Sequence, residues 1–151
     1  SGLTLADFGF LGEHEHRVDP QGRISIPARF RESFKSGFVL AKSPDKCISV
    51  YPPSEWQIVA ADIARASMNQ SKNRRRRRIN FSGAYQVEAD RQGRFHIPQS
   101  LREHADIKED IVLTGMGTYL EIWAKESWVE EELDMNSDAW LLTETAEYRD
   151  Y

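Results

Sequence analysis

Two arginines carry the chemistry that the residue types and their spacing allow. Arg23 and Arg94 each follow directly on the glycine of one short motif, written Asp19-Pro20-Gln21-Gly22-Arg23 and again Asp90-Arg91-Gln92-Gly93-Arg94. A guanidinium is planar, permanently charged and presents its donors as a fixed fork. That fork matches the O6 and N7 edge of guanine, or two phosphate oxygens, two hydrogen bonds at a time. Aspartate at the first position and glycine at the fourth are what a type I turn prefers, and the first copy adds proline at the second. Asp19, Gly22, Asp90 and Gly93 are therefore read as turn-shaping residues. Two readings of each Asp-Arg pair stay open at this level. The pair closes on itself at the surface, where such an interaction is worth about 0 to 1 kcal/mol, or the carboxylate holds backbone N–H groups and the guanidinium projects toward a ligand.

Little else competes for a chemical role. His14, His16, His96 and His104 never take the spacing of a helical metal site, and His14 and His16 read as a surface pair on one face of a strand. Cys47 stands alone, so it forms no internal disulfide, and it reads as a core residue within Cys-Ile-Ser-Val-Tyr. There is no glycine-rich phosphate loop, nucleophile elbow or pair of carboxylates in an apolar setting. The expectation is a binding protein and not an enzyme, with no metal, cofactor or small-molecule substrate.

The elements that must position the arginines come twice. Shifting the sequence by 71 residues lays Asp19 to Glu32 on Asp90 to Glu103 with eight of fourteen positions identical. Phe10 and Gly12 then fall on Phe81 and Gly83, and a shift near 72 puts Tyr51 and Trp56 on Trp123 and Trp128. Each unit is short for a domain, so the two are expected to share a core. Within a unit, a strand ending at Val18 or Ala89 leads into the turn, and Arg-Ile-Ser-Ile26 or Arg-Phe-His-Ile97 alternates as a strand should, so each turn is expected to close a hairpin. Pro27 and Pro98 suit the first turn of a short helix, in which Phe30 and Phe34, or Leu101 and Ala105, recur four apart. Two more strands and a closing helix complete the unit; in the first, Trp56, Val59, Ala60 and Ile63 make one apolar stripe. The predicted order is strand, strand, helix, strand, strand, helix, twice.

Charge is divided along the chain. The net charge is −4, yet residues 1–71 carry 0, residues 72–102 carry +7 and residues 103–151 carry −11. Such a polar molecule can meet phosphate with one region and repel it with another, so an acidic total does not exclude nucleic acid. Arg74 to Arg78 is the densest run. With Asn73 as a candidate cap it reads as a helix whose arginines point all round, some toward phosphate or toward the acidic end of a neighbouring subunit. No apolar run approaches the roughly 20 residues of a membrane span, and nothing resembles a signal peptide, so the expected location is cytoplasmic.

Asp-x-x-Gly-Arg, a short strand, Ile-Pro and a helix containing Arg-Glu, occurring twice with Tyr51-Pro52 and Glu55-Trp56 between, resembles the MraZ family over nearly the whole chain. The resemblance implies an α+β fold of two tandem AbrB-like swapped-hairpin β-barrel modules, related by a pseudo-two-fold duplication, with short helices packed outside. It implies a sequence-specific DNA-binding transcription regulator of bacteria, associated with the nucleoid. Its partner would be double-stranded DNA carrying tandem repeats in the promoter of the division and cell-wall operon, met by a homo-oligomeric ring such as an octamer. DNA-binding roles carry over first to Arg23 and Arg94. Arg31 and Arg102 occupy a helix position that contacts DNA in the wider AbrB-like superfamily, whereas a basic strand position three residues before the Asp is His16 in one copy and Val87 in the other. An AbrB-like antitoxin that binds both DNA and a toxin, or a ring-forming structural protein with no nucleic-acid role, would share much of this pattern. The expected organisation is a first module over residues 8–68, a helical arginine-rich linker over 69–80, a second module over 81–133 and an acidic, helical C-terminal tail over 134–151. In that tail Trp140, Leu141, Leu142 and Tyr148 could dock on the ring or on a partner.

Overall fold

The structure is a computed structural model that describes residues 8–148, apart from the side chains of residue 140 and residues 142–148. The first repeat forms β1 (Glu13–Arg17), β2 (Arg23–Ser25), a 3-10 turn (Ala28–Phe30) running into α1 (Arg31–Phe34), β3 (Phe38–Lys42), β4 (Ile48–Tyr51) and α2 (Pro53–Ala64). After α3 (Ser71–Ser82), the second repeat forms β5 (Ala84–Val87), β6 (Arg94–His96), α4 (Gln99–His104), β7 (Asp110–Gly115), β8 (Leu120–Ala124) and α5 (Lys125–Tyr148). The predicted element order is present in both repeats, with α3 inserted between them. No helix among the described residues is long and apolar enough to cross a membrane.

The repeats are interleaved. One antiparallel sheet runs β1-β7-β8-β4-β3-β5, and a second consists of β2 and β6 alone. β1 of the first repeat pairs with β7 of the second, from Glu13 opposite Thr114 to Arg17 opposite Asp110, while β5 of the second pairs with β3 of the first. β4 and β8 meet near the middle of the large sheet, and β2 pairs with β6 with Ile24 opposite Phe95. The fold is thus α+β, built of two tandem AbrB-like modules that exchange strands. The simple hairpin expected around each turn needs correction. The turn itself closes, but its two arms separate into different sheets, because each arm finds its ladder in the other repeat.

One core serves both repeats. Alternation along the strands sends Ile24, Leu40, Ile48, Val50, Phe95, Leu113, Leu120 and Ile122 inward, where they are almost fully buried, and Ile26, just past β2, joins them. Phe30, Phe34, Leu101 and Ala105, the residues four apart on the short helices, close the same core. A file of rings crosses it: Phe10 packs on Phe30 at 5.3 Å and on Phe34 at 5.5 Å, Phe34 on Phe38 at 5.3 Å, and Phe38 on Phe95 at 5.0 Å, the last two nearly edge to face. Pro27 and Pro98 sit one position earlier than expected, as the cap residues before the helical turns, with φ −53° and ψ near 140° in both copies. An extended ψ is what a cap residue adopts, and proline supplies it without an N–H to satisfy.

The other face of the sheet is covered by helices. Tyr51 packs on Trp56 at 5.8 Å and Trp123 on Trp128 at 5.6 Å, so the aligned aromatics do the same work in each repeat, fastening the last strand to the following helix. The start of α5 is further held by Trp128 Nε1, which donates to Glu13 at 3.0 Å, and by Lys125 paired with Glu15. Cys47 is buried in this second cluster with Val112, Trp123 and Trp128, and burial raises its thiol well above the usual range, so it is an inert core residue. The equivalence of Phe10 and Phe81 breaks down in three dimensions: Phe10 is in the core, whereas Phe81 lies in α3 against Trp56 at 5.9 Å. α5 continues unbroken across residue 133, so the closing helix and the tail are one element through Tyr148. The side chains of Trp140, Leu142 and Tyr148, proposed for docking, lie outside the described residues.

Candidate nucleic-acid interface

Each motif makes the same closed unit. Gly22 N donates to Asp19 O at 2.9 Å and Gly93 N to Asp90 O at 2.9 Å, and the two glycines take φ +80° and +77°, which a residue with a Cβ adopts only with strain. The side chain of Asp19 accepts the backbone N–H of Gln21 at 2.9 Å and of Arg23 at 2.8 Å on one oxygen, and Arg23 Nε at 2.8 Å on the other. Asp90 repeats the pattern with Gln92, Arg94 N and Arg94 Nε. Pro20 and Arg91 therefore leave the bonding of the two turns alike.

The Asp-Arg pair does close on itself, and the same carboxylate holds backbone N–H groups. The carboxylate shapes the turn and also grips the guanidinium, but only by Nε. The terminal nitrogens of Arg23 and Arg94 make no hydrogen bond to the described residues, and the two side chains are only partly exposed, at 22% and 35%. Both carboxyls are kept below the usual aspartate range, chiefly by the arginine backbone N–H, with the guanidinium adding to it against the opposing effect of burial.

The β2–β6 ribbon sets the arginines side by side. Arg23 stands opposite His96 and Ser25 opposite Arg94, so these four share one face while Ile24 and Phe95 share the other, buried one. Arg23 and Arg94 are diagonal neighbours across the ribbon, a relation that places Cα atoms about 7 to 8 Å apart. Sequence reasoning named the arginines but not Ser25 and His96, which share their face of the ribbon. Alternation puts them on the arginines' face of each strand, but only the pairing of β2 with β6, a contact between residues 71 apart, brings the two faces together.

The helix arginines cross between repeats. Arg31 Nε donates to Ile26 O at 3.0 Å, and a Cβ placed on Gly93 would lie 2.7 Å from Arg31 Nε. A Cβ on Gly22 would lie 3.2 Å from Arg102 Nη1. Arg31 of the first repeat therefore rests on the turn of the second, and Arg102 of the second on the turn of the first. Each end of the ribbon pairs one turn arginine with one helix arginine from the other repeat.

The two ends are not equal. Ile26 N donates to Gly93 O at 2.8 Å, tightening the second turn, and Ile26 O would lie 3.1 Å from a Gly93 Cβ. Alanine at either glycine meets the positive φ, a strain of order 1 to 3 kcal/mol. Gly93→Ala is expected to cost more than Gly22→Ala because it must also displace Arg31 and press on backbone. Denaturant titration of the two variants under identical conditions checks the order, and equal midpoints would contradict it.

The remaining candidates settle differently. His14 and His16 are half-buried toward the core and not a solvated pair; His14 packs edge-on against Phe30 at 5.4 Å, and burial, then His14, lowers the His16 pKa. In the arginine run, Arg74 donates to Met68 O at 2.8 Å and Arg76 lies 3.9 Å from Asp62, so these two tie α3 back to α2 and its connection, while Arg77 stacks on Phe81 at 5.7 Å within α3 itself. Asn73 does not cap α3. Its side-chain amide donates to Ser67 O at 2.8 Å and braces the α2–α3 connection from inside the first helical turn.

Comparison with known proteins agrees with this architecture of two repeats. The family model described as "MraZ protein, putative antitoxin-like" matches residues 10–79 and again residues 80–139. A protein of Syntrophomonas wolfei named transcriptional regulator MraZ is 43% identical over 121 residues, covering 80% of this chain and 85% of the relative. Proteins of the same name from Clostridium acetobutylicum and Thermoanaerobacter sp. are 40% identical over 138 residues and 41% over 140, covering 89% and 93% of this chain and 97% and 96% of those relatives. The duplicated motif, the strand-exchanged repeats and these matches along most of its length make the chain a member of the MraZ family.

Proposed function

We propose that the chain is a transcription regulator that reads double-stranded DNA with the outer face of the β2–β6 ribbon. The observation that carries this is the shared face of Arg23, Ser25, Arg94 and His96, with both guanidiniums gripped at Nε and their terminal nitrogens without a hydrogen-bond partner among the described residues. A two-stranded ribbon fits the major groove of B-DNA, and the terminal nitrogens of the two arginines suit the O6 and N7 edge of guanine. Arg31 and Arg102, at the two ends, supply the charge that meets phosphate. One ribbon reads only a few base pairs, so selectivity requires several ribbons on one DNA. Tandem repeats in the promoter of the division and cell-wall operon, met by a ring-shaped homo-oligomer such as an octamer, provide that multiplicity. The work is done in the bacterial cytoplasm at the nucleoid, as a binding protein and not an enzyme.

Mobility shift of repeat-bearing promoter DNA over a salt series tests the reading. Neutralising about six phosphates gives a log–log slope near −5, so affinity should fall about 10³-fold between 50 and 200 mM salt. Absence of a shift at low salt would instead favour a ring with no nucleic-acid role.

A further inference from the structure

We propose that the groove between α2 and α3 receives α5 of a second copy of this chain, joining copies head to tail. This rests on the self-association put forward above and names the surfaces that make it.

The groove has a volume of about 1140 Å³, and its apolar lining includes Ile58, Val59, Ile63 and Ile79. Ile58 and Ile79 are each 64% exposed, an unusual state for large aliphatic side chains gathered in one place. Asp62 lies in the lining and pairs with Arg65 and Arg76, but Lys72 and Arg75, one turn apart on α3, add to these cations and leave the rim basic.

α5 has the complementary character. Its first turns are fastened to the body through Lys125 and Trp128, but from Leu133 to Asp138 every residue is exposed. A helical stretch without tertiary cover lacks its main support, since packing of one face supplies most helical stability in proteins. Val129 and Leu133, four apart on one face, are exposed at 43% and 65%, and Glu130 and Asp134 run beside them. An apolar strip edged with carboxylates fits an apolar groove edged with cations, the helix-in-groove mode of recognition. Within one chain the two surfaces stay apart, as the exposure of both requires. The occupant is therefore α5 of another copy, and each copy offers one helix and one groove. Such a heterologous contact closes into a ring when its rotation permits and otherwise extends as a filament.

Charge reversal on each surface tests the pairing. One variant carries Lys72→Glu with Arg75→Glu, the other Glu130→Lys with Asp134→Lys, all at exposed positions, and circular dichroism compares their folding with the unmodified chain. In sedimentation velocity each variant alone is expected to run as a monomer, while an equimolar mixture regains the assembly, because the acidic groove of one accepts the basic helix of the other. The proposal is overturned if either variant alone assembles like the unmodified chain, or if the mixture stays monomeric. It is also overturned if the α3 variant keeps its assembly but loses DNA affinity, which would give the basic rim to DNA. An unmodified chain that is monomeric at every concentration removes the self-association reading itself; assembly of the unmodified chain and both variants removes only this interface.

Discussion

Alanine at both Arg23 and Arg94 is expected to abolish sequence-specific DNA binding while the fold and the assembly survive. Each forked contact to a base is worth about 1 to 3 kcal/mol of discrimination, so losing two removes about 2 to 6 kcal/mol per chain. At about 1.4 kcal/mol per factor of ten, that is roughly 30-fold to 10⁴-fold for one ribbon, and more when several bind one DNA. The fold should tolerate the change because the turns do not depend on the guanidiniums. Asp19 and Asp90 keep the backbone N–H bonds that shape each turn, and only partly exposed ion pairs are lost, each worth about 0 to 1 kcal/mol. Titration of repeat DNA alongside thermal unfolding separates these effects. Unchanged affinity would dismiss the ribbon as the reading surface, and loss of affinity with a collapsed melting point would reduce the arginines to a structural role.

Phe34→Ala is expected to be the most damaging single truncation for stability, costing about 3 to 5 kcal/mol. Phe34 lies between Phe10 and Phe38, and Phe38 continues to Phe95 in the other repeat, so the cavity opens in the file of rings that joins the two halves. A domain of ordinary stability holds about 5 to 15 kcal/mol, which makes the loss a large fraction of the whole. Because the core is shared, unfolding should remain a single transition, seen alike from Trp56 in the first repeat and Trp128 in the second. Denaturant curves at fixed protein concentration check both points, since assembly otherwise shifts the midpoint. Two separate transitions would mean that the repeats do not share their core as described.

Local physics made much of this legible in the sequence. The Asp and Gly of each motif foretold a tight turn because the turn needs a side-chain acceptor and a positive φ, and both are met within four residues. Phe30 and Phe34, and Leu101 and Ala105, foretold a buried helical face by their spacing. What stayed hidden depends on partners far away in the chain. β1 and β2 look like the two arms of one hairpin, yet one joins β7 and the other β6, and only those pairings seat Arg23 beside Arg94 and Arg31 on the turn of the opposite repeat. The five-arginine run drew attention by density, while its members' intrachain partners, such as Met68 O and Asp62, were legible only in three dimensions.

The central claim is that the outer face of the β2–β6 ribbon reads the DNA, and its most direct test is a footprint on tandem promoter repeats with the unmodified chain beside the Arg23→Ala, Arg94→Ala double variant. The account predicts protection spaced with the repeats for the unmodified chain and none for the double variant at the same concentration and salt. The same repeat-spaced protection from both proteins would contradict it.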